Sequence, residues 1–413
     1  MIQISSHPGI VVPKLNRINL AKRKSAIVNN PKPPISSKSS VNPRFLGLKL
    51  HNNAKYQALP NAPLTPNTVL RDYQNMLTVK ERNEIFIYQE IYYLRSYERQ
   101  QDIEQNDKIY FKFTENDHIK FRYQQIKELG RGAFGVVILC YDHKIHSLVA
   151  VKLVKDRPSM RNQITNEKEV NEAISRSSEP EASRFAKYFD YFKFRGFHVF
   201  VFEYLGTNLA YMLKYNRING LKVNLIKIIG KQVAEALKFY HSINYIHCDI
   251  KPDNILWTDE QHESIKLIDL GCTCKENQIL HSCIQSRYYR APEVILGCNY
   301  YNKIDVWSYG CLLSELYTGS AIFQGENEQE QIGIYFSAIG RPHIKDLNDA
   351  TRIDEFFNSN LYPKTKSDGY SLEEILSCDN SNLLDLIKQC LQWNPAKGPS
   401  MIEILNHPFF KTK

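Results

Sequence analysis

Two hydrophobic patterns follow one another along the chain. From Phe121 onward, β-branched and aromatic residues form the runs FRYQQIKELG, VVILCYD and SLVAVKLVK, which turn-like breaks separate. Such runs predict antiparallel β-hairpins. After about residue 208, apolar residues recur at helical spacing, as in LIKIIGKQVAEALKFYHS and SNLLDLIKQCLQWN. The pattern therefore predicts an α+β chain in which a β-rich lobe precedes a larger helical lobe.

A different pattern precedes the first strand. Thr65 and Pro66 are typical of a helix N-cap and first helical position, and apolar residues at helical spacing follow them. Residues 84–94 are then rich in aromatic side chains. Because a segment this short cannot bury such side chains by itself, we expect a small helical appendage that packs against a neighbouring surface.

Charge separates this part of the chain from a basic tail. Residues 1–71 contain eleven Lys and Arg and no acid, whereas the remainder has a net charge of −2. Residues 31–44 mix Pro, Ser and Lys without apolar periodicity, which is typical of disorder. The run AKRK at 21–24 has the composition of a nuclear-import or nucleic-acid patch, but we favour a solvated basic stretch.

These observations predict three regions and an intracellular protein. The regions are a disordered basic tail (1–55), an accessory segment (56–118) and a main domain (119–413). No apolar run approaches the roughly 20 residues that span a bilayer, and no secretory signal pattern is present. The nine cysteines show no metal-binding CxxC pairs, which indicates reduced thiols. We therefore expect a cytoplasmic or nuclear protein without membrane association, with nucleic-acid binding confined to the tail, if it occurs.

Glycines follow the first predicted strand. Gly130, Gly132 and Gly135 form a GxGxxG pattern that leads directly into a second strand rather than a helix. This strand–loop–strand context favours a glycine-rich flap over phosphate groups, because glycine lets the backbone approach phosphate oxygens closely. By itself the pattern fits a plain glycine-rich hairpin equally well.

A lysine lies inside the next apolar strand. Lys152 follows Val149-Ala150-Val151, and a buried lysine needs a charged partner. Glu167 shares one helical stripe with Ile164, Val170 and Ile174, so we expect it to face inward and pair with Lys152; Glu169 is the alternative. The pair would aim the ammonium at nucleotide phosphates.

The most specific signal is HCDIKPDN at 247–254, followed by LIDLG at 267–271. Asp249 is suited to orient a hydroxyl and accept its proton. Asn254 and Asp269 offer the oxygen ligands that Mg²⁺ prefers, and Lys251 adds positive charge near a transferred phosphoryl group. This order and spacing predict phosphoryl transfer from a nucleotide.

These motifs resemble the eukaryotic protein kinase signature set. The run APE at 291–293 and the run DVWSYG at 305–310 complete it over roughly residues 119–413. Cys248 within HCDIKPDN and the run IQSRYYRAPEVILG at 284–297 are similar to the dual-specificity tyrosine-regulated kinase (DYRK) family of the CMGC group.

The hinge-like run and the N-terminal segment extend the resemblance. The sequence FEYL at 202–205 is similar to the hinge of that family, and NDHIKFRY at 116–123 is similar to its DH box. Residues 64–94 are similar to the accessory domain of class II members. The resemblance implies a two-lobed fold, ATP and Mg²⁺ as cofactors, and protein substrates.

The resemblance also implies a nucleotide pocket. Leu129 and Val137 would cover the adenine from above and Leu256 from below, with Ala150 also in contact. Further expected pocket residues are the gatekeeper Phe202, the hinge residues Glu203 and Leu205, and Asn208 near the ribose.

The sequence departs from the family pattern at several positions. Leu270 replaces the Phe of the metal-binding DFG motif, and because it is also apolar we expect it to fill the same place without loss of activity. Asn171 stands where a buried apolar residue is usual, which weakens or shifts the helix bearing Glu167. Gly398 replaces the Arg that usually pairs with Glu293, and we expect Lys397 to substitute for it, although as a poorer hydrogen-bonding fork.

The activation segment departs most strongly. Cys283 occupies the place of the family's autophosphorylated tyrosine, and Cys248 removes the arginine that many kinases place beside the catalytic Asp. Arg287 and Arg290 remain, and they are similar to the arginines that bind the phosphotyrosine in the family. We expect an enzyme that is active without phosphate on this segment; phosphate on a neighbour such as Ser282 or Tyr288, or a bound partner, are the alternatives. We expect Cys272, Cys274 and Cys283 to be ordinary thiols rather than metal ligands.

The sequence therefore predicts an ATP- and Mg²⁺-dependent protein kinase acting on Ser/Thr hydroxyls, with Tyr as a further option. Two alternatives stay open at this point. One is a pseudokinase scaffold without phosphoryl transfer. The other is a regulatory protein that binds a partner or nucleic acid through its basic tail.

Overall fold

The computed structural model describes residues 59–95, 111–132, 135–215, 219–258, 263–276, 284–347, 349–365 and 369–411. All of these residues fall within one compact unit, Leu48–Lys413. The predicted basic tail, residues 1–55, lies outside the described residues. The division at residues 118 and 119 stays a prediction.

An antiparallel six-stranded sheet forms the β-rich lobe. Its strands are β1 (His118–Ile119), β2 (Tyr123–Gly132), β3 (Gly135–Asp142), β4 (Ser147–Lys155), β5 (Tyr188–Phe194) and β6 (Phe197–Glu203). They lie in the order β1-β2-β3-β4-β6-β5, so each hairpin predicted from the alternating runs is formed. Apolar side chains on one face, among them Val136, Val151 and Val199, make a core with Phe111.

One helix, α3, follows β4 in this lobe. The helices of the accessory segment are α1 (Pro66–Asp72) and α2 (Val79–Glu84), and α3 is Arg161–Arg176. The buried residues of α3 include Ile164, Glu167, Val170 and Ile174, which is the stripe that helical spacing predicts. The helix therefore turns one acid toward the interior along with its apolar residues.

The second lobe is helical. Its helices are α4 (Leu209–Tyr215), α5 (Val223–Ser242), α6 (Pro292–Ile295), α7 (Lys303–Thr318), α8 (Glu328–Ile339), α9 (Ile353–Phe356), α10 (Leu372–Leu376), α11 (Ser381–Cys390), α12 (Met401–Asn406) and α13 (Pro408–Lys411). Helices α5 and α7 contribute the largest share of one continuous hydrophobic core. The predicted α+β division into a β-rich and a helical lobe is confirmed.

Two small antiparallel pairs lie at the edge of the helical lobe. One joins β7 (Tyr245–Ile246) to β10 (Cys274–Lys275), and the other joins β8 (Ile255–Trp257) to β9 (Ile265–Leu267). The loops between these strands carry the motifs HCDIKPDN and DLG. The pairing therefore brings two sequence-distant polar segments to one edge.

The accessory segment packs on the β-rich lobe. Thr65 caps α1, and Thr78 with Glu81 forms a capping box on α2. The N–H groups of Tyr92 and Tyr93 both donate to the carbonyl of Phe121, at 2.9 and 3.0 Å. Phe121 also joins an apolar cluster with this segment, whose other buried members are Leu59, Val69, Leu77, Ile85, Ile91 and Leu94.

Only the first part of the aromatic run 84–94 is helical. Beyond a short 3₁₀ turn (Ile85–Ile87) the chain is extended, and Ile91 forms a backbone bridge with Leu64. The backbone groups of Ile91, Tyr92 and Tyr93 bond Leu64 and Phe121 instead of one another, so this part of the expected helical appendage is not a helix. Among the described residues, no helix is long and apolar enough to cross a membrane.

Candidate active site

A buried lysine joins the two lobes. Lys152 Nζ on β4 donates to Glu167 Oε1 on α3 at 2.6 Å and to Asp269 Oδ1 beside β9 at 2.8 Å. Burial by itself would lower the pKa of Lys152, but the two carboxylates outweigh it and raise this pKa well above its usual range. Lys152 is therefore a fixed cation. Glu169 instead pairs with Lys275, so the alternative partner points elsewhere.

The two acids beside Lys152 differ in environment. Burial raises the pKa of Glu167, although Lys152 opposes the rise. The pKa of Asp269 is lowered, because Lys152 outweighs the effect of burial there. The Asp269 side chain keeps 35% of its surface exposed, and its backbone lies in the left-handed region at φ 59°. Glu167 therefore contacts Lys152 from a buried position, whereas Asp269 contacts Lys152 and is also partly exposed to solvent.

Asn171 does not displace this arrangement. Its side chain is buried and donates from Nδ2 to the carbonyl of Glu167 at 2.7 Å, within its own helix. The hydrogen bond between Glu167 and Lys152 is formed although Asn171 lies one turn away, so the expected weakening or shift of the helix is not seen. Leu270 is buried in the place where an apolar side chain was expected.

Asp249 lies at the centre of a second polar cluster. Lys251 Nζ donates to its Oδ2 at 2.7 Å, and Asn254 Nδ2 donates to the same oxygen at 3.0 Å. Ser286 Oγ donates to Oδ1 at 2.8 Å and accepts from Lys251 Nζ at 2.8 Å. Both carboxylate oxygens of Asp249 are therefore fixed by neighbouring donors.

A buried acid behind the site supports the loop that carries Asp249. Asp305 on α7 accepts from the backbone N–H groups of His247 and Cys248 at 2.9 and 3.0 Å, and it bonds His241 Nε2. Cys248 adopts φ 64°, which is strained for a residue with a side chain. The carboxylate of Asp305 stabilises this strained turn and thereby the position of Asp249.

Sequence reasoning did not assign roles to Ser286 and Asp305. Ser286 lies between Gln285 and Arg287, and nothing in its local pattern marks it as a neighbour of Asp249. Asp305 opens an otherwise apolar buried helix, so an acid at a buried helical position is the signal that could have indicated a polar partner.

The candidate metal ligands are brought to the same hairpin. The N–H of Ile268 donates to the carbonyl of Asn254 at 3.0 Å, which ties the segment before Asp269 to the Asn254 turn. An amide oxygen, a carboxylate oxygen and room for water at the exposed face of Asp269 match the hard-oxygen preference of Mg²⁺. The residues present therefore fit a magnesium ion.

The glycines of the flap play different parts. A Cβ atom at Gly130 or Gly132 would meet nothing within 4 Å, so both border open space. At Gly135 the backbone has φ +134°, and a Cβ atom would lie 2.1 Å from the carbonyl oxygen of Leu153. Gly135 is therefore required by the packing of β3 on β4, whereas Gly130 and Gly132 leave space for a ligand. Ala133 and Phe134 at the tip lie outside the described residues.

The expected adenine pocket is lined by partly exposed apolar side chains. Leu129 is 41% exposed, and Val137, Ala150 and Leu256 are each half-buried. Ala150 pairs across the sheet with Phe202, which stacks on Phe200 and contacts Tyr188. Apolar side chains that stay partly uncovered at the mouth of a cleft fit an apolar ring of a ligand.

The hinge residues have defined partners of their own. The N–H of Glu203 donates to the carbonyl of Lys187 and is therefore not free for a ligand. The Glu203 side chain pairs with Lys266. Leu205 is buried beside it. Asn208 forms a bridge with Leu256, and its Oδ1 accepts from the N–H of Tyr211 at 2.7 Å.

The expectation that Lys397 substitutes for the missing arginine beside Glu293 is wrong. Lys397 pairs with Asp346 at 3.0 Å instead of Glu293, because its side chain leaves the 3₁₀ turn (Pro395–Lys397) on the solvent side. Glu293 is buried, and among the described residues no cation forms an ion pair with it.

The activation segment is described from Ile284 onward; Cys283 and its neighbours 277–282 lie outside the described residues. Arg287 donates to the carbonyl of Glu326, and Arg290 donates to Glu328 and to the carbonyls of Ile284 and Gln285. Arg287 therefore engages a backbone carbonyl, and Arg290 engages two carbonyls and an acid.

Two cysteines of this region lie close together in the described part of the chain. Cys248 Sγ lies 3.5 Å from Cys274 Sγ, and burial raises the pKa of the Cys248 thiol. Neither Cys272 nor Cys274 belongs to a metal-ligand cluster among the described residues. Ordinary thiols were expected here.

Comparison with known proteins shows the family to which this chain belongs. The model of the protein kinase domain matches residues 123–410. The chain belongs to the protein kinase family. It is 34% identical over 372 residues to dual specificity tyrosine-phosphorylation-regulated kinase 2 of Drosophila melanogaster, which covers 85% of this chain and 52% of the relative. The chain thus spans about half the length of that relative.

Two further relatives are kinases, and the first of them carries the same family name over more than two thirds of its length. It is 32% identical to dual specificity tyrosine-phosphorylation-regulated kinase 4 of Homo sapiens, over 83% of this chain and 70% of the relative. It is 34% identical to serine/threonine-protein kinase ppk5 of Schizosaccharomyces pombe, over 73% of this chain and 37% of the relative. The chain therefore belongs to the DYRK family of kinases.

Proposed function

We propose that this DYRK-family chain is an ATP- and Mg²⁺-dependent protein kinase that transfers the γ-phosphoryl group to Ser/Thr hydroxyls, with Tyr as a further acceptor. One observation carries the proposal: two charged clusters meet at the open end of the β8–β9 hairpin, where Asn254 precedes β8 and Asp269 follows β9. The clusters are Lys152–Glu167–Asp269 and Asp249–Lys251–Asn254. A scaffold without phosphoryl transfer would not need this set of paired charges.

The first cluster serves the nucleotide. Glu167 holds Lys152 in place, and the lysine neutralises charge on the phosphates. Asn254 and Asp269 would hold Mg²⁺, which screens the negative charge of the transferred group. Gly130 and Gly132, whose Cα atoms border open space, let the flap backbone approach the phosphates.

The second cluster serves the acceptor hydroxyl. Asp249 orients the hydroxyl and accepts its proton, while Lys251 stabilises charge that develops on the phosphoryl group. Lys251 and Asn254 fix one oxygen of Asp249, and Ser286 holds the other. Because Ser286 belongs to the activation segment, the order of that segment and the position of Asp249 are coupled in this site.

Protein substrates and an intracellular location, cytoplasmic or nuclear, follow from the proposal. A protein kinase acts where ATP and Mg²⁺ are available, and reduced cysteines fit such a compartment. The basic tail is the one region with the charge for nucleic-acid binding.

The test is phosphorylation of a peptide array by the full chain and by Asp249→Asn. We expect the variant to lose about 10²–10⁴-fold in turnover, because the proton acceptor is replaced by a neutral amide of the same shape. Its melting temperature should still rise with Mg-ATP, because Asn254 and Asp269 are intact.

Asp253→Asn is the matched control. Asp253 is an exposed residue of the same loop, and the same chemical change there should leave turnover within a few-fold of the parent chain. Turnover of Asp249→Asn close to that of this control would contradict the proposed role of Asp249. Parent protein that is inactive on every peptide yet binds Mg-ATP would favour the scaffold.

A further inference from the structure

The guanidinium of Arg290 has an acceptor at each of its three nitrogens. Nη1 donates to Glu328 Oε1 at 2.8 Å, Nε donates to the carbonyl of Ile284 at 2.9 Å, and Nη2 donates to the carbonyl of Gln285 at 3.0 Å. Because a guanidinium is planar and rigid, a partner that fixes one nitrogen also sets the direction of the other two. Glu328 therefore influences how Arg290 holds the backbone of residues 284 and 285.

The backbone held in this way leads directly to the catalytic centre. Ser286 is the next residue, and its N–H and Oγ donate to Asp249 Oδ1 at 3.2 and 2.8 Å. Three consecutive residues thus join the two carbonyls that Arg290 binds to the oxygen that Asp249 presents. A shift of the arginine would move Ser286 and change the position of that oxygen.

Helix α8 contacts Arg290 through a stripe of three residues. Besides Glu328 at its start, the helix places Gln331 and Tyr335 on the same face, at i+3 and i+7. Tyr335 Oη donates to the carbonyl of Arg290 at 2.6 Å and accepts from Gln331 Nε2 at 2.9 Å. The helix therefore contacts both the side chain and the backbone of Arg290 from a rigid support.

The carboxylate of Glu328 lies between two arginines. Its second oxygen, Oε2, accepts from Arg352 Nη2 at 3.0 Å, and Arg352 Nη1 donates to the carbonyl of Ile295 at 2.8 Å. The side chain of Arg290 is only 10% exposed, and that of Glu328 is 28% exposed. A neutral group at this position would leave two like charges on either side of it in a partly buried space, which disfavours the arrangement.

These contacts resemble what a phosphate achieves in an activation segment. A phosphorylated residue brings a charge of about −2 to neighbouring arginines and thereby orders the segment. The hydroxyl that would carry it is missing here, because Cys283 stands in that place. Of the two arginines that remain, Arg287 is exposed and donates to a backbone carbonyl, whereas Arg290 already meets a permanent negative charge.

We propose that Glu328 is a positioning residue for phosphoryl transfer, whose carboxylate orders the activation segment without phosphate. It fixes Arg290, and the fixed arginine keeps Ser286 bonded to Asp249. Because the carboxylate belongs to α8, no phosphatase removes it. The effect on turnover rests on the proposed kinase function, whereas the ordering of residues 284–291 does not, so a kinetic and a structural measurement separate the two.

The kinetic experiment compares the full parent chain with Glu328→Gln, which keeps the shape and removes the charge. Both are treated with phosphatase, and mass spectrometry over residues 272–293 confirms that no phosphate remains. We expect turnover per ATP-binding molecule to fall by about 10–100-fold, the size of one lost hydrogen bond to a charged group. The KM for ATP should change by less than about threefold, because Lys152, Asn254 and Asp269 keep their contacts.

Two further variants separate the charge of Glu328 from general effects on this surface. Glu355→Gln is the matched control: Glu355 pairs with the same Arg352 but is 52% exposed, and the variant should behave like the parent chain. Glu328→Asp keeps the charge on a side chain that is one methylene shorter, so it should recover part of the lost turnover. A residue that only fills space would not be rescued by a smaller acid.

Hydrogen exchange measured by mass spectrometry reads the order of the segment directly. The N–H of Ala291 donates to Gln285 Oε1 at 2.9 Å, and that of Ser286 donates to Asp249. Amides in residues 284–291 should exchange about tenfold faster in Glu328→Gln, while those of α7 stay protected. This result does not require the chain to be active. Should Glu328→Gln not fold, the same comparison is made between Glu328→Asp and the parent chain.

Each result bears on the proposal. Turnover and exchange of Glu328→Gln equal to those of Glu355→Gln overturn it, even though the kinase is active. Parent activity that collapses after phosphatase treatment also overturns it, because phosphate would then order the segment. If the parent chain is inactive on every peptide, the proposed kinase function fails; faster exchange confined to residues 284–291 in Glu328→Gln still supports the ordering role, and unchanged exchange overturns it.

Discussion

Glu81 in the accessory segment and Glu293 in the helical lobe are the same residue type in two contrasting environments. Both lie in the first turn of a short helix, and both are almost fully buried, at 7% and 4% exposed. Yet the pKa of Glu81 is lowered to about 2, whereas that of Glu293 is raised to about 7. Burial raises the pKa in both places, so burial cannot account for the difference.

The partners account for it. Glu81 accepts from His118 Nε2 at 2.9 Å and from the N–H of Thr78 at 2.8 Å, with Arg195 at 3.9 Å. Glu293 has its own backbone N–H and no cation among the described residues. A buried carboxylate therefore stabilises the fold where donors meet it and destabilises the fold where they are missing.

The largest effect in this comparison is expected from Glu81→Gln. The folded pKa lies below the unfolded value, so the carboxylate contributes full stability above about pH 4.5 and loses it as pH falls toward about 2. We expect a loss of about 2–4 kcal/mol at neutral pH, measured by urea unfolding. The gap should narrow below about pH 4.5; a gap that is the same at all pH values would contradict the ion pair.

Glu293→Gln should act in the opposite direction. The folded pKa lies above the unfolded value, so ionisation destabilises the parent chain as pH rises from about 4.5 to about 7. Above about pH 7.5 the variant should be more stable by about 2–3 kcal/mol, and near pH 4.5 the two should unfold alike. The measurement is the difference between the two urea midpoints across this range, since other buried carboxyls such as Glu315 cancel in it.

Lys397→Ala should have the smallest effect. The Lys397 side chain is 52% exposed, and its partner Asp346, which is 8% exposed, keeps hydrogen bonds from Asn394 Nδ2 and the N–H of His343, so removal of Lys397 should lower the free energy of unfolding by less than about 1 kcal/mol. The same pH series checks that Lys397 does not neutralise Glu293. A loss that grows between about pH 5 and pH 7.5 would show that it does.

The sequence predicted contacts that depend on local period and spacing. The stripe on α3 located Glu167 opposite Lys152, and Thr65 before Pro66 located the start of α1, because both follow from helix geometry. The position of Asp249 followed from the order of HCDIKPDN. Each inference needed only neighbours along the chain or a single strand-to-helix pairing.

Contacts between distant segments could not be predicted in this way. Ser286 reaches Asp249 across 37 residues, and Glu81 reaches His118 across 37 residues. Lys397 was expected beside Glu293 from its place in the sequence, but a 3₁₀ turn directs it to Asp346. Side-chain direction at a turn depends on backbone angles that no period reveals.

Gly135 affects how mutations in the glycine-rich flap are to be interpreted. Since any side chain there would collide with the backbone of Leu153, loss of nucleotide affinity in a Gly135→Ala chain would report a distorted sheet rather than a lost contact. Gly130 and Gly132 carry no such internal constraint from the protein. Alanine at either of these two positions is therefore the substitution whose effect measures how closely a ligand approaches the flap.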